Sequence, residues 1–212
     1  MQYGLYEYDR YWSSTTYVNN FFYAWALYVG NGWLASAFKT PSYFYVWPVR
    51  AGQENLPDPA YPVNLWKTGQ TSTYYPGDDG DLRRGVTWPS HRFVDNGDGT
   101  VIDALTGLMW LKDADCFGTA ADWQTSMDII ADFNTTPTNY DCADYDEVDP
   151  PYDDWSLPNR KQLFSLIDYS QWQPALPPDH LFLNAPTIES YWSSTTFAPT
   201  TDHAWVVLIR SS

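Results

Sequence analysis

Few residues in this chain are of types and spacings that do chemistry, and most of those are acidic. Asp141, Asp144, Asp146, Glu147, Asp149, Asp153 and Asp154 fall in one stretch without a single Lys or Arg. Such carboxylates repel one another unless water or a cation screens them, and hard oxygen donors suit calcium. Asp144, Asp146, Glu147 and Asp149 are the densest part and the candidate ligands; the competing reading is a solvated acidic loop. Calcium is the one cofactor candidate, and otherwise none is expected. Asp95-Asn-Gly-Asp-Gly99 also has oxygen ligands at short spacing, but it lacks a closing Glu, and its Asn-Gly and Asp-Gly pairs are those of a hairpin turn.

Nucleophilic or metal-assisted catalysis finds no constellation. His91, His180 and His203 have no metal-ligand spacing, and neither H-E-x-x-H nor G-x-S-x-G occurs. The hydroxyl-rich Ser-Ser-Thr-Thr segments have no base nearby and suit turn or backbone hydrogen bonds. The chain is therefore expected not to be an enzyme. Cys116 and Cys142 flank the start of the acidic stretch. An even pair suits one disulfide in an extracytoplasmic protein, two buried thiols being the alternative.

Binding has more to work with. Between positions 17 and 45 large aromatics alternate with small polar residues: Asn19, Asn20, Phe22, Tyr28, Asn31, Trp33, Ser36, Phe38, Tyr43 and Tyr45 are the candidate ligand contacts. Rigid rings bury much area at low entropic cost, Asn and Ser add adaptable hydrogen bonds, and rings stack on sugars. Strand geometry requires about half of these residues to face a core instead. Across the whole chain, 12 Trp, 17 Tyr and 10 Phe make 18% aromatic residues, and the net charge is −15. That charge repels phosphate backbones, so nucleic acid is excluded as a partner. No apolar run is long enough to cross a membrane. The first residues lack the basic and apolar regions of a signal peptide, so an export signal is expected outside this sequence.

The elements that must position these residues repeat out of phase. Tyr11-Trp-Ser-Ser-Thr-Thr16 recurs as Tyr191-Trp-Ser-Ser-Thr-Thr196, and Ala24-Trp25 aligns with Ala204-Trp205. Residues 1–52 read as the C-terminal half of one repeat, 53–64 as a Pro-containing linker, and 65–212 as a second repeat lacking its last strands. Residues 33–52 are expected to supply those strands, within the chain or in a neighbouring copy. In the second case the result is a homo-oligomer or filament. Ala24–Val29 and Trp33–Phe38 flank Gly30-Asn-Gly32 as a hairpin, Tyr43–Trp47 reads as a third strand, and residues 92–94 pair with 100–102. Thr119 is expected to cap a helix over Ala120–Phe133. Asn159 is expected to cap one over Arg160–Asp168, with Gln162 completing a capping box. Trp12, Trp110, Trp155 and Trp192 are expected in the core. The sum is an α+β fold of short antiparallel strands, two helices and long loops.

Three stretches carry a resemblance: Phe93-Val-Asp-Asn-Gly-Asp-Gly-Thr-Val-Ile-Asp103, Leu105-Thr-Gly-Leu-Met-Trp-Leu-Lys-Asp113 and Asp154-Trp-Ser-Leu-Pro-Asn-Arg-Lys-Gln-Leu-Phe-Ser-Leu-Ile-Asp168. With Tyr191–Thr196 and the Tyr45-Val-Trp-Pro-Val-Arg50 ending, they resemble the Lcl C-terminal domain family. Lys67-Thr-Gly-Gln-Thr71 and Gly77-Asp-Asp-Gly80 resemble the lead-in between its tandem copies. The resemblance implies a C-type-lectin-like fold related to formylglycine-generating enzymes, and an extracellular bacterial or phage protein. It places ligand contacts on the late strands and loops, residues 17–45. The cysteine pair of those enzymes has no counterpart in the late strands here. The expected function is an extracellular adhesion module binding a glycan or a surface protein, with a structural filament subunit as the alternative.

Overall fold

The structure is a computed structural model, and it describes residues 10–49, 65–118, 120–143, 145, 152–185 and 190–209. Two units partition the chain. One comprises residues 1–88, 168–172 and 211–212; the other comprises 89–167 and 173–210.

The first unit is built on an antiparallel meander of β1 (Arg10–Thr16), β2 (Tyr23–Tyr28) and β3 (Trp33–Phe38). β2 and β3 pair without a shift from Tyr23↔Phe38 to Tyr28↔Trp33, as the Gly-Asn-Gly turn between them predicts. Gly32, at φ +76°, takes the left-handed conformation that this turn requires. Trp25 is buried in the core, where Tyr17 and Tyr169 meet it edge-on with centroids at 5.7 and 5.6 Å. A Trp of roughly 200 Å² buried at about 25 cal/mol/Å² contributes on the order of 5 kcal/mol. Tyr43–Trp47 does not form a third full strand. Tyr45 alone bridges to Tyr11, in parallel, through Trp12 N–H to the Tyr45 carbonyl at 3.0 Å and Tyr45 N–H to the Arg10 carbonyl at 2.9 Å.

The lead-in segment is part of this unit. Its Gln70 is buried and grips the end of β1. The side-chain Oε1 accepts the Thr16 amide at 3.1 Å, and Nε2 donates to the carbonyls of Thr16 and Tyr169. Asp79, first residue of α1 (Asp79–Leu82), accepts the hydroxyls of Thr15 and Thr68.

In the second unit β4 (Phe93–Asp95), β5 (Thr100–Asp103) and β6 (Leu108–Leu111) form another antiparallel meander, and β7 (Ser190–Thr196) pairs with β8 (Ala204–Leu208). The two Tyr-Trp-Ser-Ser-Thr-Thr strands have the same register and the same irregularity before their last Thr. Among the described residues, β7 and β8 form a two-stranded sheet, and Trp33–Phe38 is hydrogen-bonded to β2.

Helix α2 (Trp123–Phe133) begins three residues later than the sequence suggests. Its cap is Asp122, whose carboxylate accepts the Thr125 amide at 2.8 Å; Thr119 lies outside the described residues. Helix α3 (Arg160–Ser165) has the expected Asn159 cap and Gln162 capping box, but it stops three residues short of Asp168. Phe133 is almost fully buried among Phe117, Tyr140, Tyr145 and Trp155. Trp12, Trp110, Trp155 and Trp192 are half-buried, so the fully buried tryptophan is Trp25. The architecture is thus mixed α and β, with several short antiparallel sheets and few helices.

Candidate functional site

Strand register decides how the candidate contacts group. Residues paired across a sheet share a face, and neighbours along a strand alternate. Tyr28 and Trp33, paired and with ring centroids 5.1 Å apart, therefore lie on one face, and Tyr23 and Phe38, 4.0 Å apart, on the other. Ser36 is paired with the buried Trp25 on the second face. The ten residues do not form one surface.

Two of the asparagines hold turns. Asn20 Oδ1 accepts the Phe22 amide at 3.1 Å, and Asn31 Oδ1 accepts the Trp33 amide at 2.9 Å. Asn19 is exposed. Phe22 is exposed beside Phe21, rings 4.3 Å apart. At the opposite end of the sheet Tyr11 meets Tyr45 and Trp47 at 5.5 and 5.6 Å, and Trp12 meets Phe44 at 4.4 Å. The Arg10 guanidinium lies over both Tyr28 and Phe44. Tyr43 is 90% exposed and Trp47 73%. Exposed aromatics thus stand at both ends of the sheet.

A cleft without a signature in residue spacing lies in the same unit. Trp12, Ser13, Ser14, Thr16, Ala24 and Lys39 come from the sheet, and Tyr75, Pro76, Gly77 and Asp78 from the lead-in. Its accessible volume is about 250 Å³. Lys39 Nζ donates to Thr16 Oγ1 at 2.8 Å, and burial pushes its pKa down, partly offset by Asp78. Asp78 accepts the Tyr74 and Tyr75 amides on one oxygen and the Asp81 amide on the other. Only the pairing of a repeat's tail with a lead-in far along the chain assembles these groups.

The proposed metal ligands Asp144, Asp146, Glu147 and Asp149 lie outside the described residues. Among the described residues no group of three or more His, Cys, Asp or Glu could hold a metal ion. The Asp95–Gly99 segment behaves as a turn: Asp95 accepts the Gly97 amide and pairs with Lys112 at 2.8 Å, and Asp98 accepts the Thr100 amide and hydroxyl. Cys116 and Cys142 are joined in a disulfide, as expected. Next to it, buried Asp113 accepts the Ala143 amide and the Asn184 side-chain amide, each at 3.0 Å.

The profile of the Lcl C-terminal domain matches residues 99–212, more than half of the chain. The chain belongs to the Lcl C-terminal domain family. The match starts at the turn before β5 and takes in both longer helices and the β7–β8 pair. In this Lcl C-terminal domain the motif Asp103-x-Leu105-Thr-Gly107 has a physical role: Asp103 accepts the Leu105 amide and the Thr106 hydroxyl, and Gly107 turns the chain at φ +74°. No curated protein and no solved structure matches the chain.

Proposed function

We propose that this Lcl C-terminal domain protein is an extracellular or surface-displayed binding module with a C-type-lectin-like fold, which adheres to a glycan or a surface protein. The observation that carries this reading is the set of exposed aromatics at the two ends of the first sheet: Phe21, Phe22 and Phe38 at one, Trp33, Tyr43, Tyr45 and Trp47 at the other. Rings held out on a sheet are what stacking on sugars or anchoring in a partner's pockets requires. The disulfide fits an oxidising compartment, and the charge of −15 argues against nucleic acid. Among the described residues no helix is long and apolar enough to cross a membrane. The role is binding, not catalysis. A glycan array and a surface-protein pull-down test it: binding should appear and fall in Trp33→Ala, Tyr43→Ala and Tyr45→Ala. Blank results in both assays would remove the reading.

One observation favours a second reading, a filament subunit. The outer edge of β1 is closed by Tyr45 at Arg10 and Trp12 and by Gln70 at Thr16. On β7, among the described residues, the Ser194 amide donates to the Pro158 carbonyl and the Ser193 carbonyl accepts Trp123 Nε1, but no bridge like that of Tyr45 stands at Tyr191. An open strand edge invites pairing with another chain. A sedimentation coefficient that stays that of one chain at all concentrations would dismiss the filament.

A further inference from the structure

We infer that the cleft between the tail of the first repeat and the lead-in is a site for a single neutral hexose ring, one site per junction between repeats. The inference deepens the glycan arm of the proposed function and rests on that reading.

Size sets the class first. Drug-sized ligands fill roughly 300–1,000 Å³, so an accessible volume of about 250 Å³ suits something smaller, such as one sugar ring. The lining sets the chemistry. Trp12, Tyr75 and Pro76 present ring surface, while Ser13 and Ser14 present hydroxyls that both donate and accept. Tyr75 is 72% exposed, so its ring is accessible to a sugar face. Lys39 is partly desolvated and uses one hydrogen on Thr16; an ammonium has three. Its remaining donors suit sugar hydroxyl oxygens. Asp78 accepts backbone amides on both oxygens, and its charge favours the protonated Lys39 that donates.

Charge then selects among sugars. Lys39 is the one cation lining the cleft, and Asp78, Asp79 and Asp81 stand at its acidic wall and the helix behind it. Carboxylate- or sulfate-bearing sugars meet net repulsion there, and neutral ones do not.

The second repeat supplies an internal control. Its counterparts of Trp12 and Ser13 are already engaged: Trp192 Nε1 donates to the Ala121 carbonyl, and Ser193 is fully buried with Trp123 Nε1 on its carbonyl. Tyr75-Pro-Gly-Asp78 occurs once in the chain. The cleft therefore belongs to the junction, and the expected stoichiometry is one, although the strand motif occurs twice.

Isothermal titration of the intact 212-residue protein with glucose, galactose, mannose and, as the charged control, glucuronate tests this. At least one neutral hexose should bind saturably at one site per chain, and glucuronate more weakly. Lys39→Met should weaken binding about ten-fold or more, as loss of a hydrogen bond from a charged group does. Tyr75→Ala, at an exposed position, should weaken it without altering the near-ultraviolet circular dichroism. No saturable hexose binding, two sites per chain, a preference for glucuronate, or wild-type affinity in both variants would overturn the inference. The broader reading fails separately, through the array and pull-down, which depend on Trp33, Tyr43 and Tyr45.

Discussion

Arg92 grips Asp103 at two points: Nε and Nη2 donate to the two carboxylate oxygens, each at 2.9 Å, with both side chains almost fully buried. Arg92 Nη2 also donates to the Ser165 carbonyl at the end of α3, so the pair ties the β4–β5 hairpin to a helix. Removing one partner strands a buried charge, which costs about 3–5 kcal/mol. Arg92→Met and Asp103→Asn should each lower the urea midpoint strongly. A double variant, Arg92→Met with Asp103→Leu, should recover part of the loss. Small effects in the single variants would contradict the buried pair.

Gln70 and Thr16 make a second linkage. Gln70→Ala leaves the Thr16 amide and carbonyl without their side-chain partner in a buried position, a penalty of about 1–3 kcal/mol per group. Hydrogen exchange should show faster loss of protection at Thr16 than at Val101 of β5. Equal rates at Thr16 in variant and parent would reject the clamp.

The Cys116–Cys142 disulfide closes a loop with a sequence separation of 26. The chain-entropy relation gives about 3.5 kcal/mol for a loop of that size. Treatment with a reductant should lower the melting temperature and weaken protection around Asp113 and Ala143. An unchanged melting curve after thiol titration has confirmed full reduction would count against this.

His180 sets a pH dependence. Burial is the main influence and lowers its pKa, with Asp179 opposing, and the ring stacks on Phe182 with centroids 6.0 Å apart. The folded state thus prefers the neutral ring and binds fewer protons than the unfolded chain in this range. Stability should fall as pH drops below about 6.5, the ordinary His value. His180→Phe should flatten that part of the curve. Below about pH 4 a separate loss should follow, because hydrogen bonds to Asp132 from Tyr140 and Thr136 hold its pKa below the ordinary carboxylate range. A melting temperature constant from pH 7 to 5 would reject the role of His180.

What the sequence determined by itself was local. The β2–β3 hairpin follows from Gly30-Asn-Gly32 between two alternating runs, and α3 from the Asn159 cap with Gln162 three residues on, because turn chemistry and capping act over a few residues. The family was legible too, since its motifs are runs of turn and cap residues. Tertiary structure decided what depends on distant partners. Asn20 and Asn31, expected among the binding residues, also hold turns, and register separated Trp33 from Phe38 on opposite faces. The start of α2 moved to Asp122 because a carboxylate could reach the Thr125 amide there. The lead-in joined the tail of the first repeat because Gln70 and Asp79 satisfy polar groups at the end of β1 that local sequence leaves open. Neither the Lys39 cleft nor the Arg92–Asp103 pair has a signature in spacing. Each depends on which buried polar groups lack a nearer partner, and only the folded chain answers that.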